Sequence, residues 1–195
     1  MIRRALACAI PLLGAGCATV PVAPATGDWP ARRAELQSLD DWSLKGRVAV
    51  AAGANGFSGG IAWRQQQSRA DIELSGPMGG KALAIEVDGE RFAVTDREGA
   101  LIEGAEARDY VETQIGASLP VAELRYWLLG VPAPGLEYRE TPAPDGSLQA
   151  LEQAQWQVRY LRYAPSGPYA LPSRIEMTTT GLRLKLSIAG WQLGR

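Results

Sequence analysis

Residues 42–50, WSLKGRVAV, alternate between two kinds of side chain. The even positions from Trp42 to Val50 are apolar apart from Gly46, and the odd positions hold Ser, Lys, Arg and Ala. A period of two is typical of a β-strand with one face in water and the other on an apolar interior. Antiparallel sheets accommodate such two-faced strands, whereas parallel sheets are usually covered on both faces. The stretch therefore predicts a mainly antiparallel fold.

The same alternation recurs before and after the middle of the chain. Short turns such as Asp88-Gly89 separate the runs, as expected of hairpins. We therefore predict about nine to eleven antiparallel strands. The apolar positions of these further runs are Phe57, Ile61, Trp63, Ile72, Leu74, Leu83, Ile85, Val87, Trp156, Val158, Tyr160, Ile175, Met177, Leu182, Leu184, Leu186 and Ile188.

Two or three helices are predicted beside this sheet. Residues 30–40 have apolar positions at loosely helical spacing, and residues 107–115 place an apolar face before Gly116, which suits a helix end. Another helix can begin near Pro120 and end before Gly130. Two or three helices are too few to cover the whole apolar face of the sheet. Part of the sheet must therefore close on itself or enclose something else.

The first residues predict a secretory signal. Arg3 and Arg4 precede an apolar run at 5–13 that is too short to span a bilayer as a helix, and small residues follow at 14–16. This layout, ending on Cys17, resembles the lipobox of bacterial lipoproteins, in which that Cys becomes the lipidated first residue. Leu13 lies one position earlier than such lipoboxes usually place it. By the same resemblance, Ala18 after the Cys favours the periplasmic face of the outer membrane.

Three segments follow from this interpretation. Residues 1–16 are predicted to be the lipoprotein signal peptide. Residues 17–28 comprise the lipidated Cys17 and a tether rich in Pro, Ala and Thr. Residues 29–195 are long enough for one domain with a sizeable core.

Composition excludes several classes of function. The chain has no His, and removal of the signal with lipidation of Cys17 leaves no free thiol, so the usual metal ligands are missing and we predict no metal or cofactor. Residues 56–60 read Gly-x-Ser-x-Gly but lack the His that a serine hydrolase needs. A two-carboxylate glycosidase is neither excluded nor indicated. We therefore predict no catalytic residues and no enzyme.

Net charge argues against nucleic acid as a partner. Two of the 20 basic residues lie in the predicted signal, which leaves 18 against 21 acidic residues in the mature chain. A nucleic-acid-binding domain is expected to carry a basic excess on one face.

An apolar Met stands in a turn sequence at residues 76–80, GPMGG. Pro and Gly at the other positions indicate a solvent-exposed turn. Met78 either folds back over its own hairpin or presents an apolar tip to a partner or a bilayer. Both interpretations are open from the residues alone.

Several short segments occur in a fixed order along the chain. They are IAWRQ at 61–65, SGPMG at 75–79, LP at 119–120, LRYWLLGVP at 124–132, WQV at 156–158, LP at 171–172 and Trp191. Together with residues 42–50, their order and spacing resemble the LolB family of outer-membrane lipoprotein receptors. The resemblance covers nearly all of the chain after Leu39.

This resemblance implies an incomplete, half-open antiparallel β-barrel whose opening is capped by helices. It also implies a monomeric receptor that accepts cargo lipoproteins from a soluble periplasmic carrier of the LolA type and inserts them into the outer membrane without nucleotide. The family carries a protruding Leu in the loop at 75–79 that takes part in lipid delivery. Met78 occupies that position here.

An apolar cavity for acyl chains is the central expectation. The competing interpretation is that the same residues fill a solid core, in which case the protein would be a lipid-anchored β-rich scaffold or assembly factor acting only through protein contacts. The hypothesised cavity residues are Val48, Ile61, Trp63, Ile72, Leu74, Leu83, Ile85, Trp127, Leu128, Trp156, Val158, Leu184 and Leu186.

Overall fold

A single antiparallel sheet of eleven strands dominates the structure, a computed structural model that describes residues 29–53, 55–77, 79–116 and 118–194. Its size agrees with the predicted number of strands. The strands are β1 (Asp41–Ala52), β2 (Asn55–Gln66), β3 (Arg69–Ser75), β4 (Lys81–Asp88), β5 (Arg91–Asp96), β6 (Leu101–Glu103), β7 (Tyr138–Pro142), β8 (Leu148–Gln153), β9 (Trp156–Ser166), β10 (Tyr169–Thr179) and β11 (Leu182–Leu193).

The order of strands makes the sheet an open barrel rather than a closed one. It runs β6-β5-β4-β3-β2-β1-β11-β10-β9-β8-β7, so β6 and β7 are free edges. Strands β1 and β11, which are far apart in sequence, pair at the centre and join the two halves. Val48 of β1 lies opposite Gly59 of β2 and Leu186 of β11, which places apolar positions of both halves on one inner face. The predicted half-open antiparallel barrel is confirmed.

Three helices accompany the sheet, as predicted. The chain passes from edge strand β6 through two of them to edge strand β7, and they pack on the inner face. Gly116 and Gly130 end these two helices with φ of 88° and 82°, a left-handed conformation that glycine adopts without steric cost. Within the described ranges, no helix combines the length and apolar character needed to cross a membrane. The helices are α1 (Trp29–Gln37), α2 (Gly104–Ile115) and α3 (Val121–Leu129).

Glycine permits close approach of neighbouring strands in β2. A Cβ atom at Gly59 would lie 1.8 Å from the carbonyl oxygen of Ser75 on β3. Only a residue without a side chain fits at that contact. The Gly-x-Ser-x-Gly stretch thus lies within strand β2 and is not followed by a helix. Ser58 is exposed and pairs with Ala49 of β1.

Candidate functional site

A small apolar cavity lies between the inner face of the sheet and the helices. It has a volume of about 40 Å³, and every residue that lines it is apolar. Strands β1, β2, β3, β4 and β11 form one wall, and α2, α3 and the segment between them form the other. The lining residues are Val48, Val50, Ile61, Trp63, Ile72, Leu74, Ile85, Ile115, Leu119, Val121, Leu124, Leu128, Leu184 and Leu186.

The hypothesised residues divide into two groups. Nine of the thirteen border this cavity. The other four are buried elsewhere in the core. For all thirteen residues, contact with acyl chains stays a prediction. These four are Leu83, Trp127, Trp156 and Val158. Five further residues line the cavity although the hypothesis left them out, namely Val50, Ile115, Leu119, Val121 and Leu124.

Sequence signals existed for most of the five omitted residues. Val50 continues the alternation of β1, and Val121 and Leu124 share the apolar face of α3 with Leu128. What the sequence lacks is the position of the helices over the sheet. That position is set by contacts between residues that are distant in the chain.

One end of α3 is fastened to the sheet by Gln153, a buried amide on β8. Its Oε1 accepts hydrogen bonds from Trp127 Nε1 and from the Ala133 backbone N–H, both at 2.8 Å. Its Nε2 donates to the carbonyl oxygens of Ala133 at 2.8 Å and Leu136 at 3.4 Å. Because the amide is fully used, the chain that follows α3 is held firmly against β8.

Two tyrosines reinforce the same region. Tyr160 donates its hydroxyl proton to the Trp127 carbonyl at 3.0 Å, and Tyr163 donates to the Leu148 carbonyl at 2.8 Å. Burial raises the pKa of Tyr160 well above its ordinary value. The hydroxyl therefore stays protonated at any physiological pH and keeps its role as a donor.

We call α2, α3 and the segment between them the helical cover. The part of the helical cover that is farther from Gln153 packs over the cavity through apolar contacts. In the described part of the chain, two side-chain hydrogen bonds join this cover to strands β1–β5 and their turns. Arg108 donates to the Glu90 carbonyl at 3.4 Å and Arg125 donates to the Gln67 carbonyl at 3.0 Å. Both bonds are exposed, and neither lies at Ile115 or Val121, which face the cavity. Buried hydrogen bonds therefore hold the end of α3 near β8, whereas apolar packing holds the part of the cover that lies over the cavity.

A cluster of tryptophans adjoins the cavity. Trp63 lines the cavity and stacks on Trp42 with 5.9 Å between ring centroids, and Trp42 meets Trp191 edge-on at 5.4 Å. Trp63 Nε1 donates to the buried Gln65 amide at 3.2 Å. These rings make this part of the interior wall largely apolar.

The turn at residues 76–80 follows β3 directly beyond the cavity residue Leu74. The Gly76 N–H donates to the Gly80 carbonyl at 2.8 Å, which closes the turn, and Pro77, Gly79 and Gly80 are exposed. Met78 and Cys17 lie outside the described residues, so their predicted roles are untested by the geometry.

The fold and this interior define a class of protein: a half-open β-barrel with a helical cover over an apolar cavity. A solved structure of the same fold is a LolA superfamily protein from Nitrosomonas europaea. It superimposes with a TM-score of 0.53 at 9% sequence identity, covering 87% of this chain and 94% of the other. At that identity the likeness shows the fold alone.

Sequence comparison gives the family. The chain is 33% identical over 204 residues to a Stutzerimonas stutzeri protein named outer-membrane lipoprotein LolB, covering 100% of this chain and 99% of the relative. It is 35% identical over 188 residues to the outer-membrane lipoprotein LolB of Nitrosococcus oceani, covering 94% of each. Residues 40–191 match the family described as outer membrane lipoprotein LolB. The chain therefore belongs to the LolB family.

Family membership confirms three expectations from the sequence. The resemblance to LolB is correct. The chain belongs to a family of outer-membrane lipoproteins concerned with lipoprotein localisation. It is accordingly not an enzyme.

Proposed function

We propose that this protein is an outer-membrane-anchored receptor that takes lipoproteins from a soluble periplasmic carrier, shelters their acyl chains and inserts them into the outer membrane. The observation that carries the proposal is the wholly apolar cavity beneath a helical cover in a chain of the LolB family. The domain works as a monomer, and its partners are the carrier, the cargo and the membrane.

Sheltering is needed because acyl chains are costly to expose. Burial contributes about 0.8 kcal/mol per methylene, so a sixteen-carbon chain in water costs on the order of 10 kcal/mol. An interior as apolar as lipid offsets most of that cost. The free energy of each transfer, from carrier to receptor and from receptor to bilayer, is then a small difference between two large burial energies. No nucleotide is therefore required.

The cavity must enlarge to hold such a chain. A water molecule occupies about 30 Å³ of liquid and a methylene is of similar size, so a sixteen-carbon chain needs on the order of 450 Å³. In this structure the cavity has about 40 Å³. The helical cover must therefore move away from β1–β4. Because Gln153 holds the far end of α3, we expect the movement at the C-terminal end of α2 and the N-terminal end of α3.

The N-terminal segment and the turn at 76–80 contact the membrane. Residues 1–16 are removed as a signal, Cys17 carries the lipid and residues 18–28 tether the folded domain. Met78, which belongs to the turn sequence at 76–80, contacts the bilayer during delivery. The turn supports this role because its neighbours Pro77, Gly79 and Gly80 are exposed and it lies next to the cavity residue Leu74.

Uptake is tested with purified protein and an apolar fluorescent probe. The probe should bind and be displaced by an acylated lipoprotein but not by the same lipoprotein without its acyl chains. Transfer is tested by adding cargo-loaded carrier and liposomes and measuring the cargo that reaches the liposomes. A protein that binds neither probe nor lipoprotein would instead favour a scaffold that acts only through protein contacts.

Delivery by the turn is tested with Met78→Glu. A charged side chain is costly to insert into lipid, so release into liposomes should slow while folding and cargo uptake stay intact. The matched control is Thr180→Glu, which adds the same charge to the exposed β10–β11 turn at the same end of the barrel. Equal release rates for the two variants would show that Met78 has no part in delivery.

A further inference from the structure

Charge is unevenly divided over the outer face of the sheet. Strands β1, β9, β10 and β11, which are fully described, contain seven Lys and Arg residues and two carboxylates, Asp41 and Glu176. Strands β3–β6 contain six carboxylates and three cations. A mature chain with a net negative charge thus carries a strongly basic surface. We call this surface the basic face and define it by the exposed residues Lys45, Arg47, Arg159, Arg162, Arg174, Arg183 and Lys185.

The cations of the basic face are close enough to repel one another. Arg47 lies opposite Ser187, which lies opposite Arg174, so the two guanidinium groups stem from positions roughly 10 Å apart. Arg174 also lies directly opposite Arg162, an unfavourable pair. Glu176 offsets part of the charge by pairing with Arg183 at 3.6 Å and Lys185 at 3.9 Å. The remaining repulsion weakens the free domain and would be relieved by an anionic partner.

The chemistry of the basic face favours a lipid surface over a protein. Cores of protein interfaces are rich in aromatic and apolar side chains. On these four strands Leu161 is the one large apolar side chain that is exposed. Clustered Lys and Arg without apolar anchors are typical of reversible electrostatic binding to anionic phospholipids. A lipid anchor on Cys17 would favour this binding further, because the eleven residues between Cys17 and the folded domain span at most about 40 Å and so keep the domain close to the membrane.

We propose that the basic face binds the anionic phospholipid surface of the membrane to which the protein is anchored and thereby orients the domain. The helical cover packs on the inner face of the sheet, and the basic face is on its outer side. Contact through the basic face therefore turns the helical cover away from the bilayer, toward a soluble donor. This orientation rests on the proposed receptor function, but membrane contact through the basic face does not.

Orientation is tested on the mature, acylated protein reconstituted into vesicles. Ser187→Cys places a fluorophore in the middle of the basic face, and Glu112→Cys places one on the exposed side of α2. A quencher attached to lipid headgroups should quench the label at position 187 several-fold more than the label at position 112 in vesicles containing phosphatidylglycerol. The difference should vanish in pure phosphatidylcholine and at about 1 M salt, where the Debye length is about 3 Å.

A charge-matched pair of variants checks the cause. Arg47→Gln with Arg174→Gln should lower the equilibrium constant for contact through the basic face, obtained from the quenching, by about fivefold for each cation removed. Arg91→Gln with Arg97→Gln removes the same charge from β5 and the turn that follows it, and should leave the quenching unchanged. Equal quenching at positions 187 and 112 in anionic vesicles, or protection of position 187 only by an acidic soluble protein, would overturn the proposal. Probe uptake measured on the same variants reports separately on the receptor function and should be unaltered.

Discussion

Replacing Gln153 by Met should be among the most destabilising single changes in the domain. Met has nearly the length of Gln but cannot replace its hydrogen bonds. The substitution leaves three buried groups without their partner, namely the Trp127 indole N–H and the backbone N–H and carbonyl of Ala133. Each such group costs about 1–3 kcal/mol, and partial relaxation reduces the sum. We expect a loss of about 3–5 kcal/mol, against a total stability of about 5–15 kcal/mol for a typical domain.

Urea denaturation measures this loss as a lower midpoint with an unchanged slope. The matched control is Gln65→Met, since Gln65 is also buried but has two partners, Trp63 Nε1 and the Gln67 carbonyl. The Gln67 carbonyl keeps its bond from Arg125, so this variant should lose only about 1–2 kcal/mol. A loss below about 1 kcal/mol for Gln153→Met, or equal losses for the two variants, would refute the idea that Gln153 fastens the end of α3.

Two further predictions compare matched pairs of variants. Gly59→Ala places a Cβ atom 1.8 Å from the Ser75 carbonyl oxygen and should cost at least about 2 kcal/mol of stability. In the control Gly190→Ala, the Cβ atom meets nothing within 4 Å, so stability should change by less than about 0.5 kcal/mol. Similar denaturation midpoints for the two variants would contradict the close packing of β2 against β3. Leu128→Ala and Leu171→Ala should each cost about 2–5 kcal/mol, because both side chains are fully buried. Only Leu128 lines the cavity, so only its removal should raise affinity for the apolar probe, and a gain with both variants would show that the probe binds elsewhere.

Turn chemistry and periodicity were enough to predict the helices. Gly116 and Gly130 end α2 and α3 as the sequence indicates, because glycine adopts the left-handed conformation that closes a helix. The alternation in residues 42–50 likewise predicted β1, which extends over Asp41–Ala52. Such signals are local, since each depends on neighbours in the chain.

Other features were not predictable because they depend on partners far along the chain. Gln153 is a polar residue in an apolar strand pattern, and its importance appears only when Trp127 and Ala133 come within 2.8 Å of it. The basic face is similar, because Arg47 and Arg174 belong to strands that become near neighbours only through the β1–β11 pair.

By itself, the sequence determined that the domain is an antiparallel sheet with one apolar face and too few helices to cover it, because the period of the side chains fixes which face each residue occupies. Tertiary structure alone decided which apolar residues border empty space and which fill the core. Trp127 and Leu128 are adjacent and equally buried, yet only Leu128 reaches the cavity. The reason is that periodicity assigns a residue to a face, whereas a cavity depends on the distance between two packed surfaces.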